Sequence, residues 1–211
     1  MDLTASFDTV VIANGEFPTH PLPLRLLHNA KHLVCCDGAI QKLLAAKLEP
    51  EMIVGDFDSM PNELRTRFAD RLTHIAEQET NDLTKTVTYC INHGYKKIAI
   101  VGATGLREDH TLGNISLLCD YASLCDEVAM FTDYGIFRCL TRSGETIPTY
   151  KGQQVSLFTF PNTMQITTHG LKYSVNNGTL SSWWNGTLNE AEGSSFSIDF
   201  NHGKLLIYLV Y

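Results

Sequence analysis

Lys97-Ile98-Ala99-Ile100-Val101, then Gly102-Ala103-Thr104-Gly105, then Leu106-Arg107-Glu108-Asp109-His110: a short β-branched run, a glycine-edged loop and the opening of a helix follow directly on one another. The run reads as a buried strand, Asp109 to Ala122 as a helix, and Val128 to Thr132 as the next strand. The same alternation recurs upstream. Thr9 to Ala13 is a strand ending at Asn14-Gly15, and Leu33 to Cys36 is another ending at Asp37-Gly38. Ala39 to Lys47 has helical spacing, and Met52-Ile53-Val54 is a third strand ending at Gly55-Asp56. Pro61 suits the first turn of a following helix, with Ser59 as its cap. Thr80-Asn81-Asp82 opens a helix that runs to His93 and stops at Gly94. Strands alternating with helices require crossover connections. The expected fold class is therefore α/β, with a mostly parallel, Rossmann-like sheet and helices on both faces. Such sheets bind ligands beyond the carboxyl ends of their strands, where the Gly and Asp residues gather here.

From about Ser143 the helical patterns vanish. Gln154 to Phe160, Met164 to Thr168, Ser195 to Phe200 and Lys204 to Tyr211 are short β-rich segments separated by Gly, Asn, Ser and Thr. They predict an all-β sandwich or barrel. The boundary is placed between Thr141 and Glu145, giving domains 1–142 and 143–211.

Composition narrows the class of function. The 211 residues are 44% hydrophobic and 18% charged, which excludes a collagen, a coiled coil or a disordered chain. The net charge is -7 and Lys and Arg form no cluster, so a nucleic-acid partner is not expected. Met1-Asp2-Leu3-Thr4 has neither the basic region nor the apolar run of a leader, and the terminal apolar run 205–211 is too short for a bilayer. Six cysteines without a C-x-x-C pair read as reduced, mostly buried thiols. A soluble cytoplasmic protein is the expectation.

Three segments carry chemistry. In Gly55-Asp56-Phe57-Asp58-Ser59 the two acids stand two apart, and an extended segment would point them the same way. Carboxylates at a strand end suit Mg²⁺, although Asp58 and Ser59 equally fit a turn that caps the next helix. Asp82 and Lys85 lie three apart at a helix start, a plain ion pair or an acid and a cation within reach of a phosphate. The Gly102 to Gly105 loop can aim N–H groups at an anion, with Arg107 beside it and His110 and Asn114 one turn apart. Together Asp37, Asp56, Asp58, Asp82 and Asp109 would crowd one crevice with carboxylates. A divalent cation is then needed before a polyphosphate can enter.

In order and spacing, Gly55-Asp56-Phe57-Asp58-Ser59, Gln78-x-x-x-Asp82-Leu83-x-Lys85 and Gly102-x-x-Gly105-x-Arg107-x-Asp109-His110-x-x-x-Asn114 resemble the thiamine pyrophosphokinase family. Asp37-Gly38-Ala39 fits it too, and Gly170-Leu171-Lys172-Tyr173 and Asn185-Gly186-Thr187-Leu188-Asn189-Glu190 match more loosely. The resemblance implies a homodimer in which 1–142 is the nucleotide-binding catalytic domain and 143–211 binds thiamine and dimerises. It implies transfer of diphosphate from ATP, as co-substrate, to thiamine, the alternative being a Mg-dependent nucleoside polyphosphate hydrolase. By the resemblance, Asp56, Asp58 and Asp82 hold Mg²⁺ and are catalytic together with Asp109. Asp37, Lys85, Gly102, Thr104, Gly105, Arg107, His110 and Asn114 handle ATP. Gln78, Asp109, Trp184 and Asn189 face thiamine between subunits. Leu188 departs from the serine common in the family, and Trp183 and Trp184 are as readily core residues as stacking platforms.

Overall fold

Apolar runs too short for helices and flanked by turn residues form strands here because their β-branched side chains pack well on a pleated surface. The computed structural model describes residues 6–211, so Met1-Asp2-Leu3-Thr4 lies outside the described residues. It divides into two compact units, one ending at Asp133 and the other Tyr134–Tyr211.

The first unit contains β1 (Thr9–Ile12), α1 (Pro21–Asn29), β2 (His32–Cys36), α2 (Ile40–Ala45), β3 (Met52–Gly55), α3 (Asn62–Arg67), β4 (Leu72–His74), α4 (Asp82–Asn92), β5 (Lys97–Val101), α5 (Glu108–Tyr121) and β6 (Glu127–Phe131). Its strands lie in the order β6-β5-β1-β2-β3-β4, and every neighbouring pair is parallel. Val10, Val11, Val34, Cys35, Ile53, Val54, Ile98 and Ile100 are buried along the sheet. Each such side chain contributes roughly 1.5–3 kcal/mol by leaving water. The chain moves outward from β1 to β4 on one side, then returns to place β5 on the other flank of β1. That reversal splays the loops after β1 and β5 and opens a crevice at their carboxyl ends. α4 packs on β1, β2 and β3 through its buried Leu83, Val87 and Cys90.

The second unit is antiparallel throughout. It contains β7 (Gly135–Leu140), β8 (Thr146–Pro148), β9 (Gln154–Phe160), β10 (Gln165–His169), β11 (Gly178–Thr179), β12 (Asn189–Glu190), β13 (Ser195–Phe200) and β14 (Lys204–Val210). β12, β9, β14 and β7 neighbour one another in that order, as do β11, β10, β13 and β8 in a second sheet. β9 alternates strictly, with Val155, Leu157 and Thr159 inside. One apolar cluster draws on both sheets, including Leu140, Leu157, Ile166, Ile198 and Ile207, as facing layers do.

Several elements differ from the sequence reading. α1 escapes it because Pro21 and Pro23 look like breakers. Both fall in the first turn, where N–H groups have no intrahelical partner to lose. Pro61 is the N-cap of α3, one position earlier than expected, and Ser59 makes no capping bond. The Ala39 to Lys47 helix is shorter, because Asp37–Ala39 forms a 3-10 turn and α2 ends at Ala45. β7 lies outside the strands expected from sequence. It pairs with β14 from Leu140↔Leu205 to Gly135↔Val210 and so belongs to the antiparallel unit. None of the six cysteines forms a disulfide, and four of them are buried.

Candidate active site

A crevice of about 520 Å³ lies where the β1 and β5 loops part. Asp56, Gln78, Asp82, Lys85, Gly105, Arg107, His110 and Asn114 all line it, which brings together most of the residues singled out from sequence. Asn14, Gly15, Cys36 and Asn81 line it as well.

At its floor stands Lys85, in the first turn of α4, with 2% of its side chain exposed. Burying an ammonium is costly unless anions face it. Here Asp56 Oδ2 lies 3.7 Å and Asp82 Oδ1 3.5 Å from Nζ. Asp56 also accepts the Asp58 N–H at 3.1 Å and the Gln78 amide at 3.2 Å. These donors, the Asp58 N–H foremost, hold its carboxyl below the ordinary aspartate value. It is an anion with several donors already aimed at it.

Asp58 goes elsewhere. The segment is not extended at Phe57, whose φ is +63°. That left-handed residue breaks the two-residue alternation, and Phe57 is buried while Asp58 is exposed. Asp58 is absent from the crevice wall, and its backbone serves the site by holding Asp56. Among the described residues no group of three or more His, Cys, Asp or Glu is placed to bind a metal ion. Mg²⁺ asks for less, since one or two carboxylates with waters and substrate phosphates suffice. Asp56 and Asp82, both within 3.7 Å of one ammonium, fit that requirement.

Asp37 supports the wall from behind. It is 5% exposed, and its two oxygens accept the N–H groups of Gly38 at 2.6 Å and Phe57 at 2.8 Å. Burial, opposed by those bonds and reinforced by Asp82 and Asp56, raises its pKa above the ordinary value. The carboxylate is spent on backbone, and Gly55 is needed beside it for space: a Cβ there would stand 2.5 Å from Asp37 Oδ2.

Asn81 is a site residue that the sequence reading treated only as a helix opener. Its Oδ1 accepts the Thr84 N–H at 2.9 Å, capping α4, while its Nδ2 donates to Asn114 Oδ1 at 3.1 Å. Asn114 donates in turn to the Ala103 carbonyl at 2.8 Å. One chain of amides thus fixes α4, α5 and the glycine loop. S/T/D/N at a helix start was the available signal, but its second partner is remote in sequence. Arg107 lies across Asp109, Nε to Oδ1 at 3.1 Å and Nη2 to Oδ2 at 2.5 Å, which lowers the acid's pKa. Asp109 also accepts the His110 N–H at 2.9 Å. Gly102 and Thr104 turn their carbonyls to Gly15 and Glu16 N–H at 2.6 and 2.8 Å and are not part of the wall.

In the second unit a cavity of about 370 Å³ is lined by Tyr173, Leu180, Leu188 and Asn189, among others. Asn189 is buried and clamps Tyr173 by both its N–H and its carbonyl, at 3.0 and 2.8 Å. Trp183 packs edge-on against Phe158 and Phe160. Trp184 is 73% exposed and stands outside the lining.

The first unit is by these features an α/β protein with a cation-centred acidic crevice at its switch point, joined in sequence to an antiparallel β unit. Residues 24–130 match the family profile described as thiamin pyrophosphokinase, catalytic domain, and residues 135–208 that described as thiamin pyrophosphokinase, substrate-binding domain. The chain belongs to the thiamin pyrophosphokinase family. It is 33% identical over 102 residues to thiamin pyrophosphokinase 1 of Caenorhabditis elegans, covering 44% of this chain and 42% of that protein. It is 37% identical over 86 residues to thiamine pyrophosphokinase of Bacillus subtilis, covering 39% and 40%. The chain thus spans about half the length of the curated relatives it matches. The fold is like that of the Enterococcus faecalis thiamin pyrophosphokinase family protein, with a TM-score of 0.80, 19% identity and coverage of 96% and 98%. The Candida albicans thiamin pyrophosphokinase gives 0.79, 19%, 96% and 89%.

Proposed function

We propose that this protein transfers the diphosphate of ATP to the hydroxyl of thiamine, giving thiamine diphosphate and AMP, a reading supported by its membership of the thiamin pyrophosphokinase family. The observation that carries the reading is the buried Lys85 ammonium flanked by Asp56 and Asp82 in a crevice edged by Gly105 and Arg107. In the reaction the thiamine oxygen bonds to the β-phosphorus and the bond from that phosphorus to the α–β bridging oxygen breaks. AMP leaves with the bridging electrons, and the hydroxyl proton passes to solvent or to an aspartate. Mg²⁺, held by Asp56 and Asp82, would neutralise phosphate charge. Lys85 supports those acids and offsets charge on the transferring group, and Arg107 exchanges Asp109 for a phosphate oxygen. His110 and Asn114 line the nucleotide side, with Asn114 acting chiefly through the glycine loop. Catalysis is then largely positioning and electrostatics.

Gln78, on the crevice wall, and Asp109, which pairs with Arg107 outside the lining, are assigned to thiamine. The β unit, read as a sandwich, is assigned thiamine contacts of its own, with Asn189 acting through Tyr173 and Trp184 exposed to cover the vitamin. A homodimer with the pocket between subunits and a cytoplasmic location complete the reading; among the described residues no helix is long and apolar enough to cross a membrane. The test is incubation with ATP and Mg²⁺, with and without thiamine, following AMP and thiamine diphosphate. Thiamine-dependent AMP in equal amount to thiamine diphosphate is expected. AMP released at the same rate without thiamine refutes the proposal.

A further inference from the structure

The crevice rim after β1 is held by a residue from a different connection. Lys42, on α2, donates from Nζ to the carbonyls of Asn14 at 2.9 Å and Gly15 at 2.6 Å. Asn14 and Gly15 line the crevice and Lys42 does not. The ammonium therefore takes up two consecutive carbonyl dipoles from outside the wall. On its other side the same turn is zipped to the glycine loop. Gly15 N–H donates to the Gly102 carbonyl at 2.6 Å and Glu16 N–H to the Thr104 carbonyl at 2.8 Å, continuing the β1–β5 ladder past the strand ends. Nothing larger than glycine fits between them, since a Cβ on Gly15 would stand 2.5 Å from each of those two carbonyl oxygens. The rim is thus fixed between a cation and the loop that is to receive phosphate.

We infer that Lys42 is a positioning residue for the nucleotide: it holds the Asn14–Gly15 turn and neutralises the carbonyls that would otherwise oppose a triphosphate at the crevice mouth. Electrostatics give the reason. The crevice already holds Asp56 and Asp82, so two unpaired carbonyl dipoles at its edge add to a field that repels anions. A cation set behind the backbone reverses their effect without occupying ligand space. Desolvation at this position lowers the lysine pKa, in keeping with an ammonium drawn against backbone. The inference rests on the proposed use of ATP and deepens it, because it concerns ground-state binding of the nucleotide and not the chemical step.

The test compares wild type, Lys42→Met and Lys42→Arg by calorimetric titration with a non-hydrolysable ATP analogue and Mg²⁺, and by steady-state kinetics. Lys42 is only half-buried, so Lys42→Met is expected to fold, which circular dichroism checks. Loss of two hydrogen bonds from a charged donor is expected to raise the nucleotide Kd and KM about tenfold. Expected alongside are a kcat within roughly twofold of wild type, an unmoved thiamine KM, and recovery of most of the affinity by Lys42→Arg, whose fork can reach both carbonyls. An unchanged Kd in Lys42→Met overturns the inference. So does a loss confined to kcat, an equal loss for thiamine, or failure of arginine to restore binding. Wild type that binds the analogue yet makes no thiamine diphosphate would fault the proposed reaction and leave Lys42 to be judged on Kd.

Discussion

Gly55→Ala is the sharpest probe of how the strand end and the site are joined. A methyl group there would sit 2.5 Å from Asp37 Oδ2 and 2.8 Å from its Cβ, whereas carbon contacts settle at about 3.5–4.0 Å. Gly55 has no left-handed backbone to lose, so the whole cost is steric. Asp37 is buried and cannot swing aside without giving up the Gly38 and Phe57 N–H groups. Overpacking costs roughly 1–3 kcal/mol, and losing one hydrogen bond to a charged acceptor costs about 1.5–3 kcal/mol. The stiffer unfolded chain returns about 0.4–1 kcal/mol. A net loss of about 3 kcal/mol is expected. Urea unfolding followed by circular dichroism measures it, read on the transition of the α/β unit because two units need not unfold together. Because Phe57 leads directly on from Asp56, activity should fall more steeply than stability at temperatures where the variant is still folded. A variant within about 0.5 kcal/mol of wild type would refute the reasoning, since a surface-like cost means that Asp37 yields freely.

Two further outcomes are expected. Asn81→Ala removes the α4 cap, costing about 1 kcal/mol in unfolding measurements; it also frees Asn114, so nucleotide KM should rise, whereas Asn81→Ser should keep the cap yet not the KM. Asp133 is pushed up by burial, but the Thr19 hydroxyl and the Thr19 and His20 N–H groups outweigh this and hold it below its ordinary 3.8. A folded pKa below the unfolded one gives stability that is full above 3.8 and lost as pH falls through the folded value. Wild type should therefore lose more stability than Asp133→Asn in acid below that pH. Parallel stability curves would remove Asp133 from the anchoring of α1.

Much of the α/β unit was legible because strand and helix patterns there are local. β1, β2, β3, β5, β6 and α4 each carry their own apolar pattern and turn residues, and α5 follows directly on the glycine-edged loop, so neighbours in sequence suffice to read them. α1 was hidden by prolines whose position within the first turn, not their presence, decides their effect. β7 was hidden because β14, its partner, lies at the other end of the unit, and pairing is a property of two segments.

The site divides along the same line. From the order of residues alone came the glycine-edged loop, the acids of the Gly55 segment, and Asp82 with Lys85, since each depends on spacing within a few positions. Only the tertiary structure separates Asp56 from Asp58, because a single left-handed residue between them redirects one carboxylate. It alone turns Asp37 inward as a backbone clamp, links Asn81 to Asn114, and sets Lys42 behind a turn that precedes it by a whole helix and strand. A carboxylate or an ammonium has no preferred direction until its surroundings supply donors or acceptors. Those surroundings come from segments far apart in the chain, which only the folded sheet brings within hydrogen-bonding distance.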